Sequence, residues 1–349
     1  MTQALCLPLR DIVDGYRREW RRLHPFERVV ADLTARARQK KDGLTLADVL
    51  NEIHEARKIL LEAGKEWVHK AKYAETAKEA NQYTLDGIDR LLAMYQEFAY
   101  EPVAGILELQ RSLRSAPAVQ LDTPAVVLVG APNVGKSSIV RHISSATPEV
   151  NNYPFTTRGM TLGHVEVFWD DNNTIARAVV PKDGRKRSSS HASEDVASGR
   201  YAYSQLCQVM DSPGLLVRSD LSERNEMEEL TLAAMKHLPT AVMYVMDLSG
   251  QAGDKCSSVQ DQLQLRREIR ARFPRRPWID VVSKIDLGFV DGALDELEQI
   301  LDGTPYIQLS IHEGQGIEEL RTEVLRMLGE VQVVLDAMAA VDERSARAG

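Results

Sequence analysis

The segment Gly130-Ala-Pro-Asn133-Val134-Gly135-Lys136-Ser137 has the residue types and spacing of a loop that wraps a polyphosphate. Glycine at both ends lets the backbone curl until successive N–H groups point at one phosphate chain. Lys136 can neutralise β and γ oxygens, and Ser137 can offer its hydroxyl to Mg2+. A helix opening at this point adds the positive end of its dipole. The apolar run Ala125–Val129 comes before the loop and a helical stretch, Ser137–Ser145, after it. That is the strand–loop–helix context in which the pattern has physical meaning.

Such a loop selects a nucleoside triphosphate but not its base. Asp211-Ser-Pro-Gly214 ends the run Leu206–Met210, where an Asp can hold a magnesium-bound water and a Gly N–H can meet the γ-phosphate. Tyr153-Pro-Phe-Thr156-Thr157 lies between the two, where a switch segment closes over the γ-phosphate, and Thr157 is the favoured third metal ligand. Ser283-Lys284-Ile285-Asp286 points to guanine: a carboxylate accepts from N1 and N2 while the lysine stem stacks on the base. Serine stands here where asparagine is usual, so a contact to the base or the loop is expected to be lost. One neutral hydrogen bond is worth about 1 kcal/mol, which weakens binding rather than changing the base. Ser310-Ile311-His312 is placed to offer a backbone N–H to the guanine O6.

The expected phosphate contacts are therefore Gly130, Asn133, Val134, Gly135, Lys136, Ser137, Ser138, Thr156, Thr157, Asp211 and Gly214. Lys284, Asp286, Ser310 and Ile311 surround the base, while Ser137, Thr157 and Asp211 form the metal set. Lys136, Thr157 and Gly214 act on the γ-phosphate. Leu215 and Leu216 follow Gly214 where a polar side chain would orient water, so intrinsic hydrolysis is expected to be slow. Asn133 either shapes the loop or serves a K+ ion that substitutes for an arginine finger.

These residues need a scaffold, and the rest of the chain reads as one. After a polar, proline-bearing connector at Ser115–Pro124, apolar runs alternate with helical segments, which predicts a mostly parallel sheet covered on both faces. Ahead of it, Leu46, Val49, Leu50, Ile53, Ala56, Ile59 and Leu60 recur at helical spacing, with Thr45 and Asp48 as a cap. The expected organisation is an all-α helical bundle over 1–120, an α/β Ras-like P-loop domain over 121–330 and a helical tail over 331–349. A Ser-, Lys- and Arg-rich insertion occupies 181–199.

At 349 residues two domains are the natural expectation. A net charge of −8 argues against a simple nucleic-acid binder, though Arg17, Arg18, Arg21, Arg22 and Arg28 form a local basic cluster. Three scattered cysteines suit a reducing compartment. No apolar run approaches the roughly 20 residues that span a bilayer. A monomer is expected.

The motif set resembles the Obg-related GTPases, and within them the Nog (nucleolar GTP-binding protein) subfamily. The likeness rests on the Gly130–Ser137 loop, Tyr153–Thr157, Gly163-His164, Leu215, Glu223-Arg224-Asn225 and Tyr244-Val-Met-Asp247-Leu-Ser249. Upstream it includes His24-Pro25-Phe26 and the helices that follow. The resemblance implies a GTP/GDP-cycling, Mg2+-dependent assembly factor for the large ribosomal subunit precursor, its helical domain touching rRNA or ribosomal proteins. Ser283, the insertion and the lack of a long basic C-terminal extension depart from the pattern. The acidic balance and the short tail favour an organelle matrix or stroma, or the cytoplasm, over the nucleolus. A non-hydrolysing GTP-binding scaffold and a metabolic P-loop kinase are the competing readings.

Overall fold

The computed structural model describes residues 1–38, 45–114, 119–144, 149–151, 160–171, 174–179, 201–216, 225–251 and 258–348. The switch residues Tyr153–Thr157, the insertion 181–199 and the Glu223-Arg224 pair lie outside them. The chain divides into two compact units, one ending at Ala116 and the other beginning at Pro117.

In the first unit the predicted cap forms. Thr45 and Asp48 make a reciprocal capping box that opens a helix over Leu46–Lys72, satisfying two backbone donors that the first turn leaves over. Its buried face, Leu46, Val49, Leu50, Ile53, Ala56 and Leu60, follows the predicted periodicity, with Ile59 at its margin. The unit contains α1 (Thr2–Trp20), α2 (Pro25–Arg38), α3 (Leu46–Lys72), α4 (Ala77–Phe98) and α5 (Tyr100–Arg114). Cys6, Leu9 and Val13 of α1, Leu91 of α4, and Ile106 and Leu109 of α5 complete one core with α3. Part of the basic cluster has a structural use: Arg28 donates to the carbonyls of Leu23 and Arg21, closing the end of α1.

The second unit is a sheet with helices packed against it. Its strands are β1 (Ala125–Val129), β2 (Glu149–Asn151), β3 (Met160–Trp169), β4 (Ile175–Val179), β5 (Tyr203–Asp211), β6 (Thr240–Asp247), β7 (Trp278–Ser283) and β8 (Tyr306–Leu309). Among the described residues the order is β2-β3-β5-β1-β6-β7-β8, with β4 on β3. The five strands β5, β1, β6, β7 and β8 run parallel. β3 runs antiparallel to β5, and β2 and β4 antiparallel to β3. The helices are α6 (Lys136–Ile143), α7 (Glu226–His237), α8 (Val259–Arg272), α9 (Ala293–Leu301) and α10 (Ile317–Ala348).

β6 is buried at every position, as a strand between two parallel neighbours must be. The sole charge inside the sheet on β7, Asp280, is met by a bidentate pair from Arg266 of α8 at 2.8 and 2.7 Å. Both partners are nearly inaccessible, so the pair fixes α8 against the sheet. The C-terminal segment differs from expectation: no break falls near 330, and one helix runs from Ile317 to Ala348. Leu320, Val324, Met327, Leu328 and Val331 keep a single apolar face packed on the sheet through that point.

Candidate functional site

The carboxyl ends of β1 and β5 lie side by side, and the chain leaves β1 directly into the glycine loop. Gly130 has φ 152°, and a Cβ there would sit 2.1 Å from the carbonyl oxygen of Val245, so only glycine lets the loop pass under β6. Gly214 is equally confined, since its Cβ would fall 2.4 Å from the nitrogen of Pro132. The Asp-x-x-Gly segment is therefore held backbone to backbone against the loop, and Leu215 N donates to Gly130 O at 3.0 Å. α6 begins after Gly135 without a side-chain cap, leaving its first N–H groups for an anion.

A cleft of about 500 Å³ opens over this junction, within the roughly 300–1,000 Å³ range of ligand pockets. Asn133, Gly135, Lys136, Ser137, Ser138, Asp211, Gly214 and Lys284 line it as expected from sequence. Thr161, at the start of β3, joins them without having been anticipated. Val134 turns its side chain into the core, and Gly130 lies beneath the loop. Thr156 and Thr157 lie outside the described residues.

Lys136 is buried, its ammonium donating to Gly130 O at 3.1 Å and Ala131 O at 2.6 Å. Ser137 Oγ donates to Asp211 Oδ2 at 2.5 Å. The other carboxylate oxygen, Oδ1, is buried with no hydrogen-bond partner among the described residues. Burial pushes the Asp211 carboxyl above its ordinary pKa, and the Ser137 hydroxyl and the Lys136 and Arg141 charges oppose that rise. A buried carboxylate with spare lone pairs beside a hydroxyl is a donor set suited to a hard divalent cation.

The base side forms where β7 and β8 end. Lys284 takes a left-handed backbone, φ 56°, that turns the chain out of β7. Ser310 Oγ donates to Asp286 Oδ1 at 2.6 Å, which holds that carboxyl below the usual carboxylate range; the His312 and Lys284 charges add to the effect. Ser310 thus orients the carboxylate through its side chain, a contact the sequence reading assigned only to backbone. Ile311 is half-buried and packs on the core.

Ser283 was expected to forgo a contact either to the base or to the loop. The contact to the loop is kept: its Oγ donates to Val134 O at 2.6 Å and lies 3.0 Å from Met246 O. Serine is short, but β7 brings it near enough to tie the loop to β6. Its one proton is committed there, so toward the base side it can accept but not donate.

A family model described as the NOG1 N-terminal helical domain matches residues 1–120, and one described as nucleolar GTP-binding protein 1 (NOG1) matches residues 226–286. Nucleolar GTP-binding protein 1 of Drosophila melanogaster is 26% identical over 312 residues, 88% of this chain and 41% of that protein. The Arabidopsis thaliana protein of the same name is 25% identical over 338 residues, 96% of this chain and 41% of the relative. The chain thus spans about two fifths of the length of these relatives. A solved Plasmodium falciparum structure assigned as nucleolar GTP-binding protein 1 is 23% identical, covering 65% of this chain and 99% of that one with a TM-score of 0.42.

These names overturn one expectation. Relatives called nucleolar in fly, plant and yeast point to the nucleolus, against the organelle or cytoplasm favoured from sequence. That expectation leaned on net charge and a missing basic tail. Neither can be judged from a chain spanning two fifths of its relatives.

Proposed function

This chain belongs to the Nog (nucleolar GTP-binding protein) subfamily of GTPases, and on that premise we propose that it hydrolyses GTP to GDP as a slow switch in large ribosomal subunit assembly. The observation that carries the reading is the convergence, at one edge of the sheet, of a phosphate half and a guanine half. Lys136, Ser137 and Asp211 form the first and Lys284 opens the second, all four lining the cleft; Asp286, held by Ser310, stands two residues beyond Lys284 and outside that lining. In this reading Lys136 and the loop N–H groups hold the β and γ phosphates, and the Gly214 N–H meets the γ-phosphate. Ser137 and Asp211, with Thr157, would hold Mg2+, which supplies neutralising charge on the phosphate oxygens. K+ beside Asn133, whose backbone is left-handed at φ 59°, would supply further positive charge.

The slow rate follows from Leu215. Its side chain is 4% exposed and packed away, so nothing polar at that position can orient the attacking water. The ligands of the switch are proposed to be rRNA and ribosomal proteins of the large-subunit precursor, with the chain acting as a monomer. Single-turnover hydrolysis in Mg2+ tests the reading. The expected intrinsic rate is on the order of 10⁻⁴ to 10⁻² s⁻¹, rising when pre-ribosomal particles or K+ are added. GTP that stays bound without turnover under all these conditions would instead make the chain a binding scaffold.

A further inference from the structure

We infer that Asp247 is a positioning residue that sets the Lys284 side chain against the nucleotide base; the inference rests on the guanine-site reading above. Asp247 ends β6 and is fully buried. A buried carboxylate is tolerated only where its oxygens are matched by donors. Here Oδ1 accepts from Ser249 N at 2.9 Å and Ser249 Oγ at 2.6 Å, while Oδ2 accepts from Lys284 Nζ at 2.8 Å.

The residue is also clamped from behind. Gln262 of α8, itself buried, accepts from Asp247 N at 2.9 Å and donates to Asp247 O at 3.0 Å. One side-chain amide thus satisfies both backbone groups at the strand end and fixes where the carboxylate stands. Asp247 pairs in register with Ser283, so its carboxylate reaches the residue just past the end of β7.

The consequence falls on Lys284. A free lysine side chain carries considerable rotamer entropy, and a stacking stem must give most of it up when a base arrives. Anchoring Nζ on Asp247, with the backbone already turned into the left-handed region, removes much of that freedom beforehand. The Lys284 side chain stays 30% exposed and lines the cleft. Charge is the discriminating feature. An Asn at 247 could still accept from Ser249, so only the bond to Lys284 requires the carboxylate.

The test uses the full chain with Asp247→Asn, Lys284→Met and the double variant. Affinities are measured for Mg–GDP and for inorganic tripolyphosphate, which occupies the phosphate half alone, alongside melting temperature. Asp247→Asn is expected to weaken GDP about tenfold, or ~1.4 kcal/mol, with tripolyphosphate binding unchanged. Added to Lys284→Met, it is expected to cause no further loss. Unchanged GDP affinity, a parallel loss of tripolyphosphate, or full additivity with Lys284→Met would overturn the inference. A wild-type chain that binds tripolyphosphate but not GDP would sink the guanine-site reading itself, and this inference with it.

Discussion

Lys136→Ala is expected to raise the Kd for GTP by roughly a hundredfold to a thousandfold. The ammonium is the one cation buried at the floor of the cleft among the described residues, presented by carbonyl bonds from Gly130 and Ala131. Charge-assisted hydrogen bonds are worth about 1.5–3 kcal/mol each, and a lysine bridging two phosphates makes at least two. Two such bonds give about 3–4 kcal/mol after partial compensation by water, hence two to three decades in Kd. Titration with a fluorescent GTP analogue measures the change, and a thermal melt without nucleotide shows whether the variant is folded. A folded variant with wild-type affinity would remove the phosphate assignment.

The second large effect is a change of base preference. Asp286→Asn puts an amide where a carboxylate oxygen faced the guanine edge, so donors meet a donor. Xanthine carries a carbonyl at C2 and accepts from that amide instead. Sites built around a polar edge reject an analogue that breaks the pairing by about 10⁴-fold, and a loss of about 10³-fold in GTP affinity with a matching gain for xanthosine triphosphate is expected. The Asn side-chain oxygen can still accept from Ser310, so the variant should keep the local structure around the Ser310 bond. Competition of the two nucleotides for the variant reads the swap directly. Unchanged preference would mean that the base is read elsewhere.

The central strands β1 and β6 were legible in sequence because strands buried on both faces read as unbroken apolar runs, as Ala125–Val129 and Ala241–Met246 do. β3 was not. It alternates His164 and Glu166 with Val165 and Val167, and such a strand next to a sheet edge is easily lost among loops. The phosphate residues stood out because a curled backbone and a helix start dictate their spacing along one segment. The groups that hold the base side did not. Gln262 serves the backbone of a residue 15 positions away, a contact that leaves no periodicity or motif behind. The Ser283 hydroxyl reaches Val134 across 149 positions, and only the pairing of β7 with β6 brings it there.

The C-terminal helix shows the same distinction. A helical tail was expected over 331–349, but its continuity with the helix from Ile317 was not, because a glycine, here Gly329, weakens a helical pattern.

The central claim is that the phosphate-loop cleft and the carboxylate of Asp286, two residues beyond Lys284 at its margin, serve one guanine nucleotide. The most direct test is the equilibrium affinity of the intact wild-type chain for GTP and for ATP, both with Mg2+. The two share the triphosphate and differ only at the base, so their ratio isolates the contribution of Lys284 and Asp286. GTP is expected to bind about 10³-fold or more tightly than ATP. Equal affinities would contradict the account, leaving a phosphate loop with no guanine site beside it.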